Sequence, residues 1–170
     1  SDNGVLYFDM AWREAPLFNR TVSVARVAAS GTAKPTVTLL SSTFDHFDDD
    51  PASPFGFGGN GYPAVAISAG KDLDATPAPV NGLLYVMDSS DGVGGNFECW
   101  FQAMRYTSPA AYATLGARTA IASSNCAFPN LFYNPHTNEW MAVYVNRSSN
   151  NTILRRFKVN TDGSVASLQS

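Results

Sequence analysis

The densest chemistry in the sequence lies in Phe44-Asp45-His46-Phe47-Asp48-Asp49-Asp50-Pro51. Asp45, Asp48, Asp49 and Asp50 set four carboxylates within six positions, and such charges repel unless water or a cation screens them. Hard oxygen donors at short spacing are what calcium prefers, so these four are the candidate metal ligands and calcium is the cofactor they would take. The order is not the Asp-x-Asp-x-Asp-Gly of an EF-hand loop, and no Glu follows at the bidentate distance. Two other readings remain: a solvated acidic loop, or one half of a catalytic carboxylate pair. Glycoside hydrolysis draws such a pair from different strands.

A second set of residues has the chemistry of sugar recognition, in which aromatic faces pair with Asp, Asn and Arg donors and acceptors. Phe57 and Tyr62 lie in Phe55-Gly56-Phe57-Gly58-Gly59-Asn60-Gly61-Tyr62, where glycines alternate with rings. No helix follows to supply an N-terminal dipole, so this is no phosphate cradle. It reads as a sugar-stacking loop, an oligomer contact, or a loop whose rings tuck onto the core. Trp12 with Arg13, then Asp88 with Asp91 and Asn96, and then Arg105 complete the candidate ligand-binding residues. Core packing accounts equally well for each Trp.

Other chemistries find little support. His46 and His136 are the only two histidines, too few for a histidine-built metal centre, and no Gly-x-Ser-x-Gly elbow is present. Cys99 and Cys126 lie far from either histidine in sequence, which gives no sign of a thiol nucleophile. They read either as one disulfide or as two buried thiols packed as small hydrophobes. Asn19, Asn146 and Asn150 each begin an Asn-x-Ser/Thr sequon, a pattern that also arises by chance in a chain this rich in Asn, Ser and Thr.

These groups need a scaffold, and composition bounds it. The chain has 170 residues, enough for one domain with a sizeable core, and only 15% are charged. Its net charge of -3 argues against a nucleic-acid partner, which requires a basic face. No apolar run approaches the roughly 20 residues of a membrane span, so no membrane insertion is expected. Ser1-Asp2-Asn3-Gly4 shows no secretory signal, as in a mature or trimmed chain. Asp outnumbers Glu and Arg outnumbers Lys, so straight-chain helix formers are scarce. Thr, Val, Tyr and Phe are plentiful, which predicts an all-β chain with long loops.

Internal similarity organises those strands. Asn3-Gly4-Val5-Leu6-Tyr7-Phe8-Asp9-Met10 resembles Asn81-Gly82-Leu83-Leu84-Tyr85-Val86-Met87-Asp88 and, more loosely, Asn138-Glu139-Trp140-Met141-Ala142-Val143-Tyr144-Val145. Each copy opens with Asn at a turn and runs into apolar residues, as strands buried on both faces do. The last two copies have aromatic-Pro strands upstream, at Tyr62-Pro63 and Phe128-Pro129. They also have half-exposed strands downstream, over 98–106 and 151–159. Asp162-Gly163 then turns the chain into a final strand. Three units result, over 3–43, 62–121 and 128–170, within a single domain of 1–170.

The run from Phe128-Pro129 through Tyr133-Asn134-Pro135 and Asn138-Glu139-Trp140, closed by Asp162-Gly163, resembles the blade repeat of bacterial β-propeller proteins. That resemblance implies propeller-like antiparallel four-stranded blades. About three units fall short of the 4 to 8 blades that close a ring. Closure would then take a second chain or a longer protein; a two-sheet β-sandwich is the alternative built from the same strands. The expected function is an extracellular recognition module, secreted or on a virion surface, of the carbohydrate-binding lectin or adhesin and fibre-tip kind. Its partner would be a glycan or cell-surface ligand, and an exposed first-unit edge predicts a homo-oligomer. The alternatives are a structural or self-assembly domain and a glycoside-active fragment, since the enzymes such blades most resemble are five-bladed glycosidases.

Overall fold

A computed structural model describes residues 5–14, 21–30, 36–41, 61–67, 80–88, 97–108 and 111–169, with side chains described at Met10 and over 80–86, 97–105 and 113–169. Among these residues the chain is all-β and antiparallel, with eleven strands and no helix. β1 (Val5–Glu14), β2 (Thr21–Ser30) and β3 (Thr36–Ser41) form the first sheet. β4 (Gly61–Ile67), β5 (Val80–Asp88), β6 (Phe97–Ser108) and β7 (Ala111–Ala122) form the second. β8 (Cys126–Asn134), β9 (Glu139–Asn146), β10 (Thr152–Val159) and β11 (Val165–Gln169) form the third. Within each sheet the strands pair in chain order, up and down.

The sheets lie face to face. β8 rests against β4, β5 and β6, while β1 and β2 rest against β4, and β3 against β7. The second sheet is therefore the middle layer, and its strands show it. In β5 every residue from Asn81 to Val86 is buried, and in β6 so are Cys99 and the run from Phe101 to Met104. β5 thus matches the expected strand buried on both faces. The half-exposed strand expected over 98–106 is instead largely core, because both of its faces are covered. β9 departs the other way. Trp140, Ala142 and Tyr144 are buried, whereas Met141, Val143 and Val145 on the opposite face are only half-buried. β10 alternates as expected, with Phe157 inside and Arg156 and Lys158 exposed.

The core between the second and third sheets is aromatic. Phe101 meets Trp140 edge-on at 5.6 Å between centroids and Phe157 at 5.0 Å. Tyr133 tilts onto Trp140 at 5.1 Å. Burying each such ring contributes about 1.5 to 3 kcal/mol, and each edge-on pair adds about 0.5 to 1.5 kcal/mol. Gly82 makes room for them. A Cβ there would stand 2.5 Å from Phe101 Cε2, 2.6 Å from Trp140 Cζ3 and 3.0 Å from Leu131 Cδ2. Beside this core Cys99 and Cys126 form a disulfide across 5.6 Å between Cα atoms, which fastens β6 of the second sheet to β8 of the third. The two-thiol reading is thereby settled in favour of the bridge.

The repeated Asn is not one structural position. Asn138 sits in the β8–β9 turn at φ 54 and accepts a 2.8 Å hydrogen bond from the Tyr133 hydroxyl. Asn81 lies inside β5 opposite Ile67 and Met104, fully buried, with no partner for its carboxamide among the described residues. The final turn is as expected. Asn160 N–H donates to Ser164 O at 2.9 Å and Gly163 N–H to Asn160 O at 3.0 Å. Gly163 has φ +88 and lies against the Leu115 backbone, where a Cβ would collide with its carbonyl oxygen.

Two outcomes follow from this packing. Gly82→Ala is expected to destabilise the chain by about 1 to 3 kcal/mol through overpacking, read as a lower urea midpoint, because the rings around it belong to the packed core. Reducing the Cys99–Cys126 bridge, or replacing both residues with Ser, is expected to cost about 2 to 5 kcal/mol. A midpoint unchanged by reductant would show that the aromatic contact holds the two sheets without the bridge.

Candidate functional site

Strand direction sorts the loops into two ends. β4 begins beside the end of β5, since Gly61 pairs with Val86, and β6 begins opposite Asp88, which pairs with Phe97. β4 is therefore entered, and β5 left for β6, at one end of the second sheet. The third sheet adds its own loops there. Arg147, just after β9, holds its guanidinium carbon 4.1 Å above the Phe97 ring and donates its backbone N–H to Asn125 O at 2.8 Å. The β7–β8 connection and the β9–β10 turn thus flank the start of β6. A cation over a ring at so accessible a position contributes about 0.5 to 1 kcal/mol.

Local chemistry shapes this end. The Asn146 side-chain oxygen accepts from Ser148 N–H at 2.9 Å and Ser149 N–H at 3.1 Å, while Asn150 N–H donates to Asn146 O at 2.7 Å. Asn125 and Asn150 take φ 55 and 57, a left-handed conformation that Asn tolerates better than most residues. The result is a tight turn carrying exposed Arg147, Ser148, Ser149 and Asn150. Of the sequon asparagines, Asn146 is thus engaged in its turn, Asn150 is exposed, and Asn19 lies outside the described residues.

The candidate residues fall in three places. Tyr62 and Asp88 are in β4 and β5 close to this end, with side chains outside the described set. Phe57, Asp91, Asn96 and the acidic Asp45, Asp48, Asp49 and Asp50 lie outside the described residues, in the segments that precede β4 and link β5 to β6 in the sequence. Trp12 and Arg13 are on β1 of the first sheet, again without described side chains. Arg105 is elsewhere. It lies toward the far end of β6, half-buried, and its guanidinium donates to Thr161 O at 3.2 Å in the β10–β11 turn. There it ties the second sheet to the third, beside Gln102, whose amide donates to Leu115 O at 3.0 Å.

Trp100 is engaged on two sides. Its indole N–H donates to Glu98 at 2.8 Å, and the Arg118 guanidinium carbon stands 4.8 Å over its ring. Next to it, burial pushes the Tyr85 phenol far above its ordinary range, against the opposing pull of Arg118. His136 is an exposed turn residue whose backbone N–H donates to Asn134 at 3.0 Å. Among the described residues no three His, Cys, Asp or Glu gather to hold a metal, and no helix is long and apolar enough to cross a membrane. Arg147 was visible in the sequence only as the middle of a sequon, because nothing in its spacing links it to Phe97. No protein family, characterised protein or solved structure matches the chain.

One titration reports on the opposite end. Asp162 accepts from Ser164 Oγ at 2.6 Å and Ser164 N–H at 2.9 Å, and these bonds hold its carboxyl below the ordinary 3.8. A lowered folded-state value means the turn is favoured above the ordinary carboxylate range and loosens as pH falls through the folded value. In an NMR titration the Asp162 carboxyl carbon is expected to change below pH 3.8 in the native chain. The midpoint should rise toward that value in Ser164→Ala, which removes the larger cause. An unmoved midpoint would assign the shift to the backbone alone.

Proposed function

We propose that the chain is an extracellular recognition module of the lectin or adhesin kind, built on three successive propeller-like sheets, with a glycan or cell-surface ligand as its partner. The observation that carries this reading is the end of the second and third sheets at which β4 begins, β5 ends and β6 begins, where Arg147 and the Asn146–Asn150 turn stand. The acidic, aromatic and amide candidates of residues 42–60 and 89–96 precede β4 and link β5 to β6 in the sequence. Carboxylates, amides and a guanidinium hydrogen-bond sugar hydroxyls, and aromatic rings stack on the apolar face of the sugar ring. Calcium is the cation that Asp45, Asp48, Asp49 and Asp50 would take, and it would add direct hydroxyl coordination. The disulfide between stacked sheets suits an oxidising exterior, where structural bridges persist and glycans are displayed.

The reading is tested on a glycan array, with calcium and again with EDTA. Binding is expected, and its loss in EDTA would assign calcium to the acidic segment. Retention in EDTA would move recognition to the aromatic and amide groups. Arg147→Ala should weaken binding on the order of tenfold, equivalent to about 1.4 kcal/mol. Absence of binding across a broad array would sink the carbohydrate reading.

A further inference from the structure

Two of the Asn-x-Ser/Thr sequons share the β9–β10 turn, and the structure treats them differently. Asn146-Arg147-Ser148 begins at the last residue of β9, whereas Asn150-Asn151-Thr152 runs from the turn into β10. Asn146 is half-buried and spent within the turn. Its side-chain oxygen accepts from the Ser148 and Ser149 N–H groups, and its own N–H donates to Asn151 O at 2.8 Å. The residue that follows it, Arg147, is tied through its N–H to Asn125 O. A sugar chain on Asn146 would start from a side chain held against its own turn, with the β7–β8 connection bonded to the next residue.

Asn150 is presented in the opposite way. It is exposed, as are Asn151 and Thr152, so every residue of this motif faces solvent. At φ 57 its backbone closes the turn, donating N–H to Asn146 O at 2.7 Å, and among the described residues no hydrogen bond engages its side chain. The turn thus holds without the Asn150 carboxamide. The hydroxyl that the acceptor motif requires belongs to Thr152, exposed at the start of β10. We propose that Asn150 is an N-glycan acceptor and that Asn146 is not. The substrate is an oligosaccharide carried on a lipid diphosphate. In the transfer a bond forms between Asn150 Nδ2 and the anomeric carbon, and the bond from that carbon to the diphosphate oxygen breaks. Nδ2 gives up one proton and the lipid diphosphate leaves. Transferase and donor belong to the secretory route that also forms disulfides, and the Cys99–Cys126 bridge fits passage through it. The inference rests on the extracellular reading and is independent of what the Arg147 end binds.

The full chain, expressed behind a cleavable secretory leader in cultured animal cells, tests it. Peptides are mapped before and after peptide N-glycosidase digestion in heavy-oxygen water, on chain from cells and medium together, with free thiols counted in parallel. Asn150 is expected to carry the glycan and to be converted by the digestion to a heavy-labelled aspartate, with Asn146 unmodified and the Cys99–Cys126 bridge formed. Thr152→Ala leaves Asn150 and its turn bonds in place and should abolish the modification; Asn150→Gln should remove the matching shift in gel mobility. Ser148→Ala deletes the Asn146 motif while keeping the Ser148 N–H in the turn, and should leave the Asn150 glycan unchanged. Recovery of Asn150 unmodified, or a glycan on Asn146 in its place, overturns the proposal. An unmodified Asn150 beside a formed bridge does so without touching the extracellular reading, whereas free thiols at Cys99 and Cys126 would take that reading down with it.

Discussion

The contact between the second and third sheets is the constraint on which the rest depends. Phe101 stands edge-on to both Trp140 and Phe157, and it can do so only because residue 82 has no side chain. That absence lets the sheets approach closely enough for the aromatic rings to fill the gap. Two sheets brought together in this way also bring their ends together. Arg147 then reaches Phe97 at one end, and Arg105 reaches Thr161 at the other. The disulfide joins the same two layers beside the core, so covalent and apolar forces act on one interface.

The two ends differ in how their polar groups are spent. At the Arg105 end, side chains are turned onto backbone, Gln102 within its own sheet and Arg105 across to the third sheet. Gln102 and Arg105 donate to carbonyl oxygens, and Asp162 is engaged by Ser164. At the Arg147 end the turn satisfies its own backbone through Asn146, and the remaining polar side chains face solvent. A rigid layered scaffold with one self-satisfied end and one open polar end is a common arrangement for binding, because loops vary freely where they carry no packing duty.

The middle sheet shows what a completed layer looks like, and the third sheet is the same kind of layer with one face uncovered among the described residues. β5 and β9 have similar stretches of sequence, yet β5 is buried on both faces from Asn81 to Val86 and β9 on one side only. The difference lies in the neighbours, since alternation in a strand gives each side chain a fixed face and leaves its burial to whatever lies opposite.

Much of the architecture was legible in the residues. Scarce helix formers and β-branched or aromatic runs between turn residues specified antiparallel strands. Asn138-Glu139-Trp140 marked the start of β9 and Asp162-Gly163 the turn before β11, because asparagine and glycine act on the local backbone. Phe128-Pro129, expected to open a strand, lies instead inside β8 at a register shift, where the bulge accommodates the missing N–H. The candidate site was legible as chemistry and not as a place: Asp88, Asp91 and Asn96 could be named, but not that β4 begins, β5 ends and β6 begins at the end where Arg147 stands. Nor could the sequence separate Arg105, which ties two sheets together, from an arginine free to meet a ligand. Tertiary structure alone decided the Cys99–Cys126 bridge, the ring contact that requires Gly82, the pairing of Arg147 with Phe97, and which apolar strand lost its second face. The physical reason is common to all four: each depends on the distance between groups on different sheets, and local sequence determines a strand's direction and alternation but not what packs against it.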